Sequence, residues 1–139
     1  MNWYFRVLRK YGVFKGRARR KEFWYFILIN WIVHFILNGI GLEIIVVITG
    51  ILLFIPTIAV TVRRLHDTGY SGWWLISPLL FWSLLIPLYI SGTLGDSFSN
   101  EIYRGIGSIS IAFYIVLLFA LIADSNYGEN KYGANPKDS

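Results

Sequence analysis

The chain has 139 residues, of which 55% are hydrophobic and only 15% are charged, and it carries a net charge of +5 and no cysteine. The charged fraction lies well below the roughly 25% typical of soluble domains, and a chain of this length cannot hide so much apolar surface in its own core. The composition therefore excludes disulfide and thiolate chemistry and predicts one integral membrane domain over residues 1–139.

The N-terminal residues predict a short amphipathic helix over residues 2–11 that lies on the membrane surface. Its aromatic and apolar face consists of Trp3, Tyr4, Val7, Leu8 and Tyr11, and its basic face of Arg6, Arg9 and Lys10. Two interpretations stay open for this helix. It can be a plain surface anchor, or it can recognise anionic lipid with help from the basic residues over 15–21.

Four long apolar runs follow, at about residues 23–42, 44–62, 73–90 and 106–123, and none contains Lys, Arg, Asp or Glu. As a helix, each run is long enough to cross a hydrocarbon core of about 30 Å. Only helices and closed barrels satisfy the backbone in lipid, and these runs lack the alternation of strands. The predicted fold is therefore an all-α membrane protein with four transmembrane helices, an interfacial N-terminal helix and a cytoplasmic tail over 124–139.

The basic residues predict the topology. Of the 13 Lys and Arg residues, all but Arg104 lie before the first run, between the second and third, or after the fourth. The positive-inside rule then places both termini in the cytoplasm, which in a bacterium means the cytoplasmic side of the inner membrane. This distribution also argues against nucleic acid as the partner of the positive charge.

A polar stripe crosses the first two runs, and it consists of Asn30, His34, Asn38, Thr57 and Thr61. The three residues of the first run are spaced four apart and share one helical face. They can form hydrogen bonds between helices, or they can line a proton or solute path in which His34 titrates.

The sequence predicts neither a metal site nor a cofactor. The chain has two histidines and no cysteine. Twelve residues of helix separate Glu22 from His34, which is about 18 Å, so the two cannot share a tetrahedral site.

The connector over residues 63–74, which reads RRLHDTGYSGWW, concentrates the charged and titratable residues. In a structural interpretation, Arg63 and Arg64 complement the helix dipole and reach headgroups, and Asp67 pairs with either arginine. The aromatic residues Trp3, Trp24, Trp73 and Trp74 act as interfacial anchors. In a catalytic interpretation, His66 and Asp67 act as base and orienter while the arginines hold an anion, although no nucleophile stands at a recognisable spacing.

Three stretches together carry a family resemblance: FKGRARRKEFW at 14–24, the connector at 63–74, and NKYGANP at 130–136. In this order around four apolar runs, they resemble the bacterial inner-membrane family catalogued as domain of unknown function 805. The resemblance covers nearly the whole chain and implies a small polytopic inner-membrane protein without an established activity. The signature positions that it implies are Gly16, Arg17, Arg20, Trp24, Arg63, Arg64, His66, Asp67, Gly69, Gly72, Trp73, Asn130, Gly133 and Pro136.

All three stretches fall on the predicted cytoplasmic side, so we expect them to converge into one surface. The favoured function is non-enzymatic: the surface binds anionic lipid headgroups or a protein partner. The residues expected to carry this binding are Arg17, Arg20, Arg63, Arg64, His66 and Asp67. A transporter or channel subunit that uses the polar stripe is the second interpretation, and it would need a homo-oligomer or a membrane protein partner because four spans are few. A membrane enzyme centred on His66 and Asp67 is the third.

Overall fold

The structure, a computed structural model, describes residues 3–77, 83 and 97–137. Within these residues the regular elements are helical, with α1 at Trp3–Arg9, α2 at Arg20–Gly39, α3 at Glu43–Asp67, a 3-10 turn at Gly72–Leu75 and α4 at Ser97–Ile122. The described part of the chain contains no strand, and only an isolated bridge joins Asn130 to Gly133. The predicted all-α fold class is confirmed.

Among the described residues, α3 is the helix that is long and apolar enough to cross a membrane, with a mean hydropathy of 2.7. Its 25 residues extend past the predicted end of the second run at residue 62. In contrast, α2 begins with the charged residues 20–22 and carries Asn30, His34 and Asn38 of the polar stripe, which lower its hydropathy. Four spans therefore stay a prediction. Most of the third run, at residues 78–82 and 84–90, lies outside the described residues.

The chain divides into two compact units, Met1–Gly72 with Ala123–Ser139, and Trp73–Ile122. The first unit contains α1, α2, α3 and the C-terminal tail. The second unit contains residues 73–75 of the 3-10 turn and the helix α4. In this unit the ring centroids of Trp74 and Phe113 lie 5.9 Å apart. The single membrane domain stays a prediction.

The helices α2 and α3 form an antiparallel hairpin, because glycine lets the chain reverse after α2. Gly41 has a φ of 75°, which L side chains rarely adopt. Its N–H donates to the carbonyl of Asn38 at 3.1 Å, and the N–H of Leu42 donates to the carbonyl of Leu37 at 2.9 Å. This pair of bonds is the Schellman motif, which satisfies the last carbonyls of a helix. At the other end of the hairpin, the N–H of Ala18 donates to the carbonyl of Arg63 at 3.0 Å.

The short helix α1 packs against this hairpin through the face that the sequence predicts to be apolar. Val7 is fully buried. The Tyr4 ring stacks on Phe26 at 5.1 Å, and the Tyr4 hydroxyl donates to Asn30 Oδ1 at 2.8 Å. The helix is shorter than the predicted 2–11, and its place at the membrane surface stays a prediction.

The hairpin has large apolar side chains on its outside. Trp31 is 65% exposed, Phe35 69% and Ile44 76%. Soluble monomers rarely expose a contiguous apolar surface of this kind. The exposed surface is therefore what a protein covered by lipid requires.

Candidate functional site

The three signature stretches meet at one end of the α2–α3 hairpin, as the sequence predicts. This end, which we call the basic end, comprises residues 14–24, which lead into α2 and form its first turn, the end of α3 and the C-terminal strap, residues 123–137. The N–H of Asn126 donates to the carbonyl of Asp67 at 3.0 Å, and the Asn130 amide donates to the carbonyl of His66 at 3.0 Å. The strap is thereby held against the end of α3.

Arg17 is the centre of the basic end, and its side chain is only 1% exposed. Its Nε donates to Asp67 Oδ1 at 2.9 Å. Its Nη1 donates to the carbonyls of Gly128 at 2.7 Å and Gly133 at 3.2 Å, and its Nη2 donates to the carbonyl of Asn126 at 2.7 Å. All three guanidinium nitrogens are therefore engaged, and one side chain joins α3 to the strap.

Three carboxylates organise the basic residues of this end, and each one contacts two cations. Glu22 contacts Arg6 and Arg63, Asp67 contacts Arg17 and Arg64, and Asp124 contacts Arg20 and Lys137. The pairs of Arg63 with Glu22 and of both arginines with Asp67 are buried, whereas those of Asp124 are exposed. Within these groups six cations face three carboxylates, so the groups together retain positive charge.

Asp124, the most exposed of the three carboxylates, has a lowered pKa. A hydrogen bond from Lys137 and a second from the Ser125 N–H lower the pKa of Asp124 below its ordinary value. Both donors belong to the strap. The carboxylate therefore links the strap to Arg20 at the start of α2, at 2.9 Å.

His66 and Asp67 are adjacent in sequence but have different partners. The His66 ring stacks on Tyr132 with the centroids 3.7 Å apart and the planes 6° from parallel, and its Nδ1 lies 3.3 Å from the Gly16 carbonyl. Asp67 accepts from Arg17, from Arg64 and from the Ser125 hydroxyl, the last at 2.6 Å. These contacts do not form the base and orienter arrangement that catalysis would require, since neither side chain is directed at the other.

Two signature glycines are explained by close approach. A Cβ at Gly69 would lie 2.6 Å from Asn126 Nδ2, and Gly69 also has a φ of +83°. A Cβ at Gly72 would lie 2.8 Å from Val62 Cγ1. Glycine therefore lets the strap and the connector pack against the end of α3.

The polar stripe is divided among several local contacts. His34 Nε2 lies 3.0 Å from Thr49 Oγ1, and Asn38 donates to the His34 carbonyl at 2.8 Å. The hydroxyls of Thr57 and Thr61 donate to carbonyls within α3. Nδ2 of Asn30 is buried and finds no partner among the described residues. A groove of about 270 Å³ between the helices is lined by Ile27, Asn30, Trp31, His34, Gly50, Leu53, Phe54 and Thr57.

The four predicted aromatic anchors have different surroundings. The guanidinium groups of Arg6 and Arg19 lie 5.8 Å and 5.7 Å from the Trp3 ring, as in cation–π pairs. Trp24 packs edge-on against Phe23 at 5.1 Å. Trp73 and Trp74 are exposed and belong to the second unit.

The structure brings Arg17, Arg64, His66 and Asp67 together, and it places Arg63 beside Glu22 and Arg20 beside Asp124. Sequence reasoning missed the groups that complete the site, which are Glu22, Asp124, Ser125, Asn126 and Tyr132, and it also missed Thr49, the partner of His34 in the polar stripe. Tyr132 and Asn126 lie in the two YG-containing tail segments, and that short repeat was the available signal. The strap carbonyls that bind Arg17 gave no signal in the sequence, because every residue has a backbone carbonyl.

Comparison with known proteins gives consistent matches. The model of a family described as a protein of unknown function (DUF805) matches residues 11–134. The inner membrane protein YhaH of Escherichia coli strain K12 is 39% identical over 147 aligned positions, covering 99% of this chain and 98% of YhaH. The inner membrane protein YhaI of the same strain is 41% identical over 110 positions, covering 73% and 92%. The uncharacterized protein YiiR is 33% identical over 130 positions, covering 90% and 86%. No solved structure matches the chain significantly.

Proposed function

This chain belongs to the DUF805 family of proteins of unknown function, and on that basis we propose that it is a multi-pass inner-membrane protein whose basic end binds anionic phospholipid headgroups in the cytoplasmic leaflet. The location in the inner membrane agrees with the names of its relatives YhaH and YhaI. The observation that carries headgroup binding is the excess of cations in these three ion-pair groups, which join six basic side chains to three carboxylates. Phosphate headgroups supply the missing negative charge.

The hairpin supports the multi-pass topology. Because α2 runs antiparallel to the apolar helix α3, the two helices would cross the membrane in opposite directions. The chain leaves the basic end after Gly72 and returns to it at Ala123, whose carbonyl accepts from Arg64. This return supports an even number of membrane crossings between Gly72 and Ala123. The positive-inside rule then favours the cytoplasm for this end and for both termini.

The first contact with headgroups falls to exposed residues. The side chains of Arg17, Arg63 and Arg64 are at most 1% exposed, and they already have partners inside the protein. The most exposed basic residues before and within the first turn of α2 are Arg9, Lys15 and Lys21. The exposed apolar side chains of Phe5, Val13 and Phe14 stand near them in sequence, which is the composition of a membrane-surface element.

Lipid retention tests this proposal. We would purify the protein into nanodiscs of mixed phosphatidylglycerol and phosphatidylcholine and measure the lipids that stay bound by native mass spectrometry. Lys15→Gln with Lys21→Gln should weaken the preference for phosphatidylglycerol by about fivefold for each lysine, because each basic residue near the surface contributes about 1 kcal/mol. Arg104→Gln is the matched control, since the sequence places Arg104 on the other side. Unchanged enrichment in the double variant would contradict headgroup binding, and enrichment of a co-purified protein instead would favour a protein partner.

One observation favours a second candidate, a transport subunit. The groove between α2 and α3 contains His34 and Nδ2 of Asn30, which has no partner in the described part of the chain, and a polar solute could contact both groups. Proton flux into proteoliposomes that His34→Gln abolishes would support this function. Equal flux in the wild type and in empty liposomes would count against it.

A further inference from the structure

The C-terminal strap occupies the hydrogen-bond donors that an anion would use at the basic end. We propose that the strap is a displaceable lid over a phosphate-binding site built on Arg17 and Arg64, and that an anionic phosphate group competes with the strap for the Arg17 guanidinium. This inference rests on the proposed function and names a buried site behind the exposed basic residues. The phosphate can belong to a lipid headgroup or be free in solution.

The charges around Arg17 favour such an exchange. Arg17 and Arg64 both pair with Asp67, so two cations share one carboxylate. The remaining Arg17 donors go to neutral carbonyls, those of Asn126, Gly128 and Gly133 in the strap and, at 3.4 Å from Nη2, that of Asp67. Hydrogen bonds in which the acceptor is also ionised are shorter and roughly twice as strong as neutral ones. A phosphate can therefore replace the carbonyls on Nη1 and Nη2 while the Nε bond to Asp67 stays in place.

The strap is held by polar contacts and not by an apolar core. Among its described residues, the buried side chains are the polar Ser125 and Asn135, and none is a buried hydrophobic residue. Tyr127 at its tip is 99% exposed. Segments with few buried apolar contacts open locally well before the whole protein unfolds. The stack of Tyr132 on His66 is the one aromatic contact that holds the strap to α3 in the described structure, so it serves as the latch of the lid.

The position of the strap can be followed directly, because the chain has no cysteine. A single Glu129→Cys substitution on the exposed tip accepts a nitroxide label, whose mobility reports whether the strap is docked. The labelled full-length protein is measured in three conditions: phosphatidylcholine nanodiscs, the same nanodiscs with inorganic phosphate, and nanodiscs containing phosphatidylglycerol. We expect an immobile label in the first condition. A rise in the mobile fraction with phosphatidylglycerol alone assigns the phosphate to a headgroup, and a rise with inorganic phosphate assigns it to a free anion.

A pair of matched variants tests the latch without changing any charge. Tyr132→Ser removes the stack on His66, whereas Tyr127→Ser makes the same change at the exposed tip. An aromatic pair of this kind corresponds to about a threefold to tenfold change in an equilibrium. Tyr132→Ser should therefore lower, by about that factor, the concentration of inorganic phosphate or phosphatidylglycerol at which half of the strap is released. Tyr127→Ser should leave this concentration unchanged.

Two results separate this inference from the proposed function. If the wild type retains phosphatidylglycerol but its label stays immobile in all three conditions, the lid is overturned while headgroup binding stands. If the wild type shows no preference for phosphatidylglycerol and inorganic phosphate also leaves the label immobile, both fail. Equal shifts in Tyr132→Ser and Tyr127→Ser would overturn the latch and with it the lid.

Discussion

Arg17 and Asp67 are 50 residues apart in the chain and form a buried ion pair, with Arg17 Nε 2.9 Å from Asp67 Oδ1 and side chains only 1% and 0% exposed. The pair joins the segment before α2 to the last residue of α3. Because Arg17 also donates to three strap carbonyls, the same guanidinium holds the C-terminal tail. One residue thus links all three signature stretches.

Removing the shared carboxylate should destabilise the protein strongly. Asp67→Asn leaves Arg17 and Arg64 buried without their anion, and breaking a buried pair from one side costs about 3–5 kcal/mol. We expect a large fall in the unfolding midpoint in detergent, measured by tryptophan fluorescence. Asp124→Asn is the control, since its carboxylate is exposed and its removal should barely move the midpoint. Equal effects of the two substitutions would contradict the central role of Asp67.

Adding a methyl group at Gly69 should strain the chain at the end of α3 and displace the Asn126 side chain of the strap. The new Cβ would lie 2.6 Å from Asn126 Nδ2, and the φ of +83° is unfavourable for alanine by about 1–2 kcal/mol. Gly69→Ala should therefore speed limited proteolysis within residues 123–137. Gly12→Ala, where nothing lies within 4 Å of the added Cβ, should leave the proteolysis rate at the wild-type level. A strap equally protected in both variants would show that this close approach is not needed.

The Tyr4 hydroxyl should hold α1 to the hairpin. Tyr4→Phe removes its bond to Asn30 Oδ1 and leaves that half-buried amide without a partner from α1, at a cost of about 1 kcal/mol. Hydrogen exchange of the α1 amides should become faster, while exchange in α3 stays unchanged. Tyr127→Phe, on the exposed tip of the strap, is the matched control. Wild-type protection of α1 in Tyr4→Phe would mean that ring packing alone positions the helix.

The Asp124 carboxylate should make strap docking sensitive to acid. Its pKa is lowered, first by the hydrogen bond from Lys137, so the folded protein holds this proton less tightly than the unfolded chain. The stabilisation is present above the unfolded value of about 3.9 and is lost as the pH falls through the lower folded value. Carboxyl NMR should show a titration midpoint below 3.9, and Lys137→Gln should raise it. Lys131→Gln should not, and a shift of the same size in that variant would contradict the assigned cause.

The fold class follows from the sequence because helix formation in an apolar run depends on local composition. The helices α2 and α3 lie where the first two runs predict them, and the alternation of basic and apolar segments agrees with the names of the inner-membrane relatives YhaH and YhaI. The boundaries were less accurate. The charged residues from Arg63 to Asp67 continue α3 because their side chains find partners beside it, and those partners come from distant parts of the chain.

Composition, periodicity and charge by themselves determined that the protein is helical, apolar enough for a membrane and basic at one end, because each of these properties is written in short stretches of sequence. Only the tertiary structure decided what the basic residues do there. The sequence presents Arg17, Arg63 and Arg64 as cations available to a ligand, but folding places Glu22, Asp67 and the strap carbonyls around them. The physical reason is that burying a charge requires a partner within about 3 Å, and which distant group supplies that partner depends on how the chain folds back on itself.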